Sequence, residues 1–150
     1  MGPLLGRPVK ILSVEDNPAD VMMIQEMFRE GNLRTELEFV KDGADALDYL
    51  FQRGSFTSAN APDFILLDLN LPKVDGKEVL KEIKKHPTLR EIPVIVFSSS
   101  SRREDVQSSY NLYANAFVTK PRDLQEFENA IRAIERFWIS TATLASALPV

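Results

Sequence analysis

The chain has no cysteine among its 150 residues, so disulfides, thiolate zinc sites and cysteine nucleophiles are all excluded. Histidine is nearly as scarce. His86 is the only one; it stands beside Pro87 where a helix pattern ends, has no partner at metal-ligand spacing, and reads as a surface residue at a helix C-terminus. No apolar stretch approaches the roughly 18 residues of a membrane span, and Met1–Pro8 hold no apolar run long enough for a signal peptide. Lys and Arg form no cluster, and the net charge of −4 gives no footprint for nucleic acid. There is no internal repeat. What is present, 44% hydrophobic and 27% charged residues, suits one globular domain with a single core, expected in the cytoplasm.

Strand and helix patterns alternate. Val9–Val14 is an apolar strand, and Asn17-Pro18 follows as a cap and first helical residue. Val21, Ile24, Met27 and Phe28 then recur at helical spacing until Gly31-Asn32 supplies a stop. Leu37, Phe39 and Val40 form a second strand. Asp42-Gly43 opens a helix with Ala46, Leu47, Leu50 and Phe51 on one face. Gly54–Pro62 is small and polar, and is expected to be the most flexible stretch of the domain. Asp63–Asp68, Ile92–Phe97 and Ala116–Thr119 are three further strands. A lysine-rich helix ends before His86-Pro87, a weakly signalled one spans Arg102 to Leu112, and a fifth runs from Leu124 to Trp138. Five βα units imply an α/β fold, a parallel sheet with helices on both faces. The domain is placed at 8–138, leaving 139–150 as a short apolar tail with no output domain.

The strand ends carry the chemistry. Buried parallel strands deliver their last side chains to the carboxyl edge of the sheet, where open α/β folds build their sites. Asp68 ends the strongest strand, Glu15-Asp16 follow the first, Ser98 ends the fourth and Lys120 follows the fifth. Three carboxylates brought within a few ångströms repel one another, and a divalent cation removes that conflict. Counted formally, those three acids, a magnesium ion and the Lys120 ammonium sum to zero. Magnesium prefers oxygen ligands and keeps several waters; the carboxylates and the Asn70 carbonyl, two residues beyond Asp68, would leave room for a phosphoryl oxygen. Asp68 is then the candidate nucleophile, because phosphoryl transfer needs in-line positioning and neutralised oxygens more than covalent machinery. The Lys120 ammonium and the Ser98 hydroxyl are the other oxygen partners.

Glu15-Asp16, Leu67-Asp68-Leu69-Asn70-Leu71-Pro72 with Asp75-Gly76, Ser98, and Lys120-Pro121 resemble a response-regulator receiver domain, over about residues 8–137. The resemblance implies a flavodoxin-like (βα)5 doubly wound fold with strand order 2-1-3-4-5, an order that receivers exemplify. It implies phosphorylation of Asp68 by a sensor histidine kinase in two-component signalling. It also implies Mg2+ (or Mn2+) on Glu15, Asp16, Asp68 and the Asn70 carbonyl, a switch couple of Ser98 with Phe117, and a cis peptide between Lys120 and Pro121. Such a chain is a phosphoacceptor rather than an enzyme. Ser98 stands where Thr is more frequent, and Phe117 where Tyr is, so a hydroxyl-based readout at that ring is lost. More narrowly, Gly54–Pro62, Asn70-Leu71-Pro72-Lys73 and Ile134–Trp138 are similar to the single-domain regulators of cyanobacterial phytochromes, which would make the kinase a phytochrome.

Two other readings compete. An adaptor of receiver fold would bind a partner without phosphorylation, against which the intact acids, Ser98 and Lys120 argue. A flavodoxin-like cofactor carrier lacks its Gly-rich phosphate loop, since Glu15-Asp16-Asn17-Pro18 stands there. Asp16 alone could be no more than a helix cap. Leu124, Phe127, Ile131, Ile134 and Trp138 form an apolar stripe that mostly means packing. With Phe137, Tyr110 and Tyr113 it also suggests a homodimer through the fourth helix, fifth strand, fifth helix and tail; the competing reading is a helix end folded over its own core. Asn70 and Ser100 flank the expected path of hydrolytic water and would tune phosphate lifetime.

Overall fold

Strict two-residue alternation in the strands places their side chains on two faces, and each face receives its own helices. A computed structural model describes residues 7–31 and 33–147. Its elements are β1 (Val9–Val14), α1 (Pro18–Glu30), β2 (Thr35–Val40), α2 (Gly43–Leu50), β3 (Phe64–Leu67), α3 (Gly76–Lys85), β4 (Val94–Ser98), α4 (Arg103–Asn111), β5 (Ala116–Thr119) and α5 (Leu124–Glu135). The five strands are all parallel, in the expected order β2-β1-β3-β4-β5. Val9, Ile11, Phe64, Leu66, Ile95 and Phe97 pack with Ile24 and Phe28 of α1 and Phe127, Ile131 and Ile134 of α5. Leu12, Val14, Ile65, Leu67, Val94 and Val96 meet Ala46 and Leu50 of α2 and Val79, Leu80 and Ile83 of α3 on the other face. Each of the larger side chains among them, fully buried, contributes about 1.5–3 kcal/mol.

The start of α1 follows its sequence signal. Asn17 Oδ1 accepts the N–H groups of Ala19 (2.9 Å) and Asp20 (3.2 Å), and Pro18 takes the first helical position. Asn17, not Asp16, is therefore the cap. Gly31 ends the helix, its N–H on the Met27 carbonyl; Asn32, the other half of the expected stop, lies outside the described residues. The solitary His86 also has a local task. Its Nδ1 accepts the N–H groups of Thr88 and Leu89, both at 3.1 Å, and so caps the turn that follows α3.

Two segments differ from expectation. Gly54–Pro62 is not wholly irregular: Gly54–Phe56 forms a 3-10 turn, the Phe56 ring lies 5.4 Å from Tyr49, and Gln52 Nε2 donates to the Ala59 carbonyl at 2.7 Å. Helix α5 stops at Glu135 and continues as a π-helical turn, Arg136–Thr141. A π turn inserts one residue into the 3.6-residue period, and so it is Ile139, rather than Trp138, that is wholly buried after Ile134. Ile139 and Leu144 both join the core between α1 and α5. The chain beyond them reaches the N-terminal end of the sheet, where Arg7 forms two 2.9 Å bonds to Asp63 and Ser146 lines the same cavity as that pair. The last three residues of the expected tail lie outside the described ones.

Candidate functional site

Main-chain ladder bonds continue one residue past three strands, and this places the site. Glu15 N–H donates to the Val40 carbonyl (3.0 Å), Asp68 N–H to Val14 (3.1 Å) and Lys120 N–H to Ser98 (2.7 Å). Each charged residue is thus held by the sheet itself, on one edge, although the strands are far apart in sequence. Gly76 secures the underside of the Asp68 loop. Its N–H bonds the Leu69 carbonyl at 2.9 Å, and a Cβ there would collide with the Asp68 carbonyl oxygen.

The Lys120 ammonium sits at the centre. It lies 2.6 Å from Glu15 Oε1, 2.8 Å from Asp20 Oδ2 and 3.3 Å from Asp68 Oδ2, with its side chain only 7% exposed. Carboxylate oxygens of Glu15, Asp16 and Asp68 lie within 4.8 Å of one another. Glu15 and Asp68 are buried while Asp16 is exposed at the rim, a set of hard oxygens open on one side that fits a divalent cation. Asn70 is exposed two residues beyond Asp68, and its N–H reaches Asp68 Oδ1 at 3.4 Å.

Burial pushes the Glu15 carboxyl up to about 7; the Lys120 bond pulls against this and the neighbouring Asp68 charge adds to it. Lys120 is buried too, yet its bonds to Asp20 and Glu15 and the Asp68 charge hold its ammonium well above the usual range. The two shifts are consistent, because one ammonium has three carboxylates while the carboxylates share one ammonium.

Asp20 was not singled out by the sequence. It lies in the first turn of α1, where an acid is ordinarily only a favourable helix-end charge. No local signal separated it from that reading, since Asp16 precedes the Asn17 cap and lies off the helix. With Asp20 present the formal balance is no longer zero at the metal-bound stage: four carboxylates face one ammonium.

Ser98 is wholly buried at the end of β4 and its Oγ accepts the Ser100 N–H at 3.2 Å. Phe117 is half-buried on β5, paired in register with Val96 and packed against the α2–α3 side of the core. Its N–H donates to the Tyr110 hydroxyl at 3.1 Å, tying α4 to the edge strand. The expected cis bond before Pro121 is not found, since no cis peptide occurs among the described residues. X–Pro isomers differ by only about 0.5–1 kcal/mol, so the residue types do not decide between them.

The response regulator receiver domain family matches residues 11–132. Response regulator Rcp1 of Synechocystis sp. is 44% identical over 140 residues, which is 93% of this chain and 95% of Rcp1. The phosphorylated cyanobacterial phytochrome response regulator RcpA is 48% identical and superposes with a TM-score of 0.89 over 92% of this chain and 99% of RcpA. The Mn2+-bound form of Rcp1 superposes with a TM-score of 0.89 over 91% of this chain and 99% of that one.

Proposed function

The chain belongs to the response regulator receiver domain family, and from that premise we propose that it accepts a phosphoryl group on Asp68 from a sensor histidine kinase. The observation that carries this reading is Asp68 itself, buried yet bonded to Lys120 and grouped with Glu15 and Asp16 at the open edge of the sheet. An Asp68 carboxylate oxygen attacks the phosphorus of the donor phosphohistidine in line; the new O–P bond forms as the N–P bond breaks, leaving an acyl phosphate and a neutral histidine. Lys120 binds one phosphoryl oxygen and the Ser98 hydroxyl another. Glu15, Asp16, Asp68 and the Asn70 carbonyl would hold Mg2+ (or Mn2+), which when bound supplies charge neutralisation for the remaining phosphoryl oxygen. The chemistry is confined to self-phosphotransfer and autodephosphorylation, the latter tuned by Asn70 and Ser100.

The likeness to Rcp1 and RcpA supports a phytochrome as the kinase. We take the receiver unit as residues 8–138, with 139–150 as a tail that folds back onto it through Ile139 and Leu144, acting in the cytoplasm without nucleic acid. The output is a changed surface around α4, β5 and α5. Tyr110, Tyr113, Leu124 and Phe137, all exposed, support a homodimer there, and sedimentation showing only monomer with and without a phosphoryl analogue would remove that part.

The test is a phosphate-affinity gel after incubation with a small-molecule phosphodonor, with and without magnesium, on wild type and Asp68→Asn. A magnesium-dependent shifted band lost in the variant is expected. Folded wild type giving no band would overturn the reading in favour of an unphosphorylated adaptor.

A further inference from the structure

The loop between β4 and α4 carries an arrangement that phosphoryl acceptance leaves unused. The Ser98 hydroxyl is wholly buried and its Oγ accepts the Ser100 N–H at 3.2 Å, so a phosphoryl oxygen that takes this hydroxyl acts directly on the loop that carries Ser100. Ser100 itself resists displacement. Its Oγ donates to Asp105 Oδ2 at 2.5 Å and accepts the Arg102 N–H at 3.2 Å. Asp105 Oδ1 takes the Lys77 ammonium at 2.6 Å, and the Asp105 main-chain carbonyl accepts the Ser109 hydroxyl at 2.7 Å.

The anchor leads back to the phosphoacceptor. Lys77 directly follows Gly76, whose backbone is pressed on the Asp68 carbonyl. A continuous path therefore runs from the Asp68 main chain through the first turn of α3 to Asp105 and Ser100, and so to the Ser98 loop. Lys77 and Ser100 hold the Asp105 carboxyl below the usual carboxylate range, which keeps it ionised at neutral pH. A lone exposed ion pair would be worth little. Here the side chains of Lys77 and Asp105 are 31% and 20% exposed, and one carboxylate makes charge-assisted bonds to a helix and a loop together.

We propose that Asp105 is a positioning residue, a latch closed by Lys77 and Ser100 that holds the β4–α4 loop in its resting arrangement and opposes the phosphorylated one. The proposal rests on the phosphoacceptor reading above. If the competent arrangement is a minor state, opening the latch raises its population and the apparent affinity for a phosphoryl mimic by the same factor.

The experiment titrates beryllofluoride into magnesium-loaded protein, followed by amide NMR shifts of the loop, with the thermal midpoint measured in parallel. Asp105→Ala and Ser100→Ala should each tighten binding by about 5- to 30-fold, the factor for losing one bond of this kind. The double variant should tighten it no further than the stronger single one, since both open one latch. Lys77→Met should act in the same direction and Lys77→Arg should restore wild-type affinity; Lys77→Met carries the test if Asp105→Ala does not fold. A purely structural contact would lower the midpoint and leave affinity unchanged or weaker, which overturns the latch. Wild type that is folded but takes up no beryllofluoride overturns the phosphoacceptor reading and the latch with it; wild-type binding without tightening in the variants overturns the latch alone.

Discussion

Replacing Lys120 by Met isolates the central charge of the site. Methionine keeps the unbranched stem that reaches over Phe97, where the ammonium lies 5.8 Å from the ring centroid, but removes a cation bonded to three carboxylates at 2.6, 2.8 and 3.3 Å. Removing one partner of a buried pair costs about 3–5 kcal/mol, because the remaining charges stay buried without compensation. At about 2–4 °C per kcal/mol for a chain of this size, the thermal midpoint in EDTA should fall by roughly 6–20 °C. Magnesium should then raise the midpoint of the variant more than that of wild type, since the carboxylates lose their internal cation and metal binding and ammonium are linked reciprocally. Differential scanning calorimetry with and without magnesium reads both effects. A variant midpoint within about 2 °C of wild type in EDTA would refute the reasoning, as the carboxylates would then be solvated or protonated rather than held by Lys120.

Two titrations follow from other buried acids. Glu15 is pushed up to about 7, so below that pH a proton competes with the metal; magnesium affinity should be level above pH 7 and fall by up to about tenfold per unit below it, and calorimetric affinities equal at pH 6 and 8 would contradict this. Glu135 is buried against Gly31, its Oε2 has no partner among the described residues, and its nearest cation is Arg132 at 3.6 Å. Burial raises its carboxyl above the ordinary 4.5, with Arg132 only partly offsetting. The stability linked to this group is therefore full below pH 4.5 and is lost as pH rises through the folded-state value. Glu135→Gln should stabilise the protein by about 1 kcal/mol at pH 7 and by nothing below about pH 4.5; equal destabilisation at both pH values in urea melts would show that the carboxylate is paired and ionised.

What was legible from the residues alone was what local chemistry dictates. Unbroken apolar runs through Phe64–Leu67 and Val94–Phe97 mark strands buried on both faces, Asn17-Pro18 marks a helix entry, and a charged residue directly after such a strand must emerge at the carboxyl edge. Glu15, Asp68, Ser98 and Lys120 were visible for that reason, and their order along the chain carried the family resemblance. Asp20 was not, because an acid in a first helical turn has an ordinary explanation that local pattern cannot distinguish from a contact with Lys120.

Only tertiary structure could make that contact, which spans 100 positions, and only it could set the Glu135 carboxyl against Gly31 or turn Ile139 inward through a π turn. The same holds for Lys77 and Asp105, which are 28 positions apart. On the sequence they are solvated helix charges, and they meet because parallel crossovers lay α3 and α4 side by side over one face of the sheet. Periodicity determines which face an element buries; the partner across that face is decided by how the elements pack, and in this protein that packing joins the Asp68 loop to the loop of Ser98.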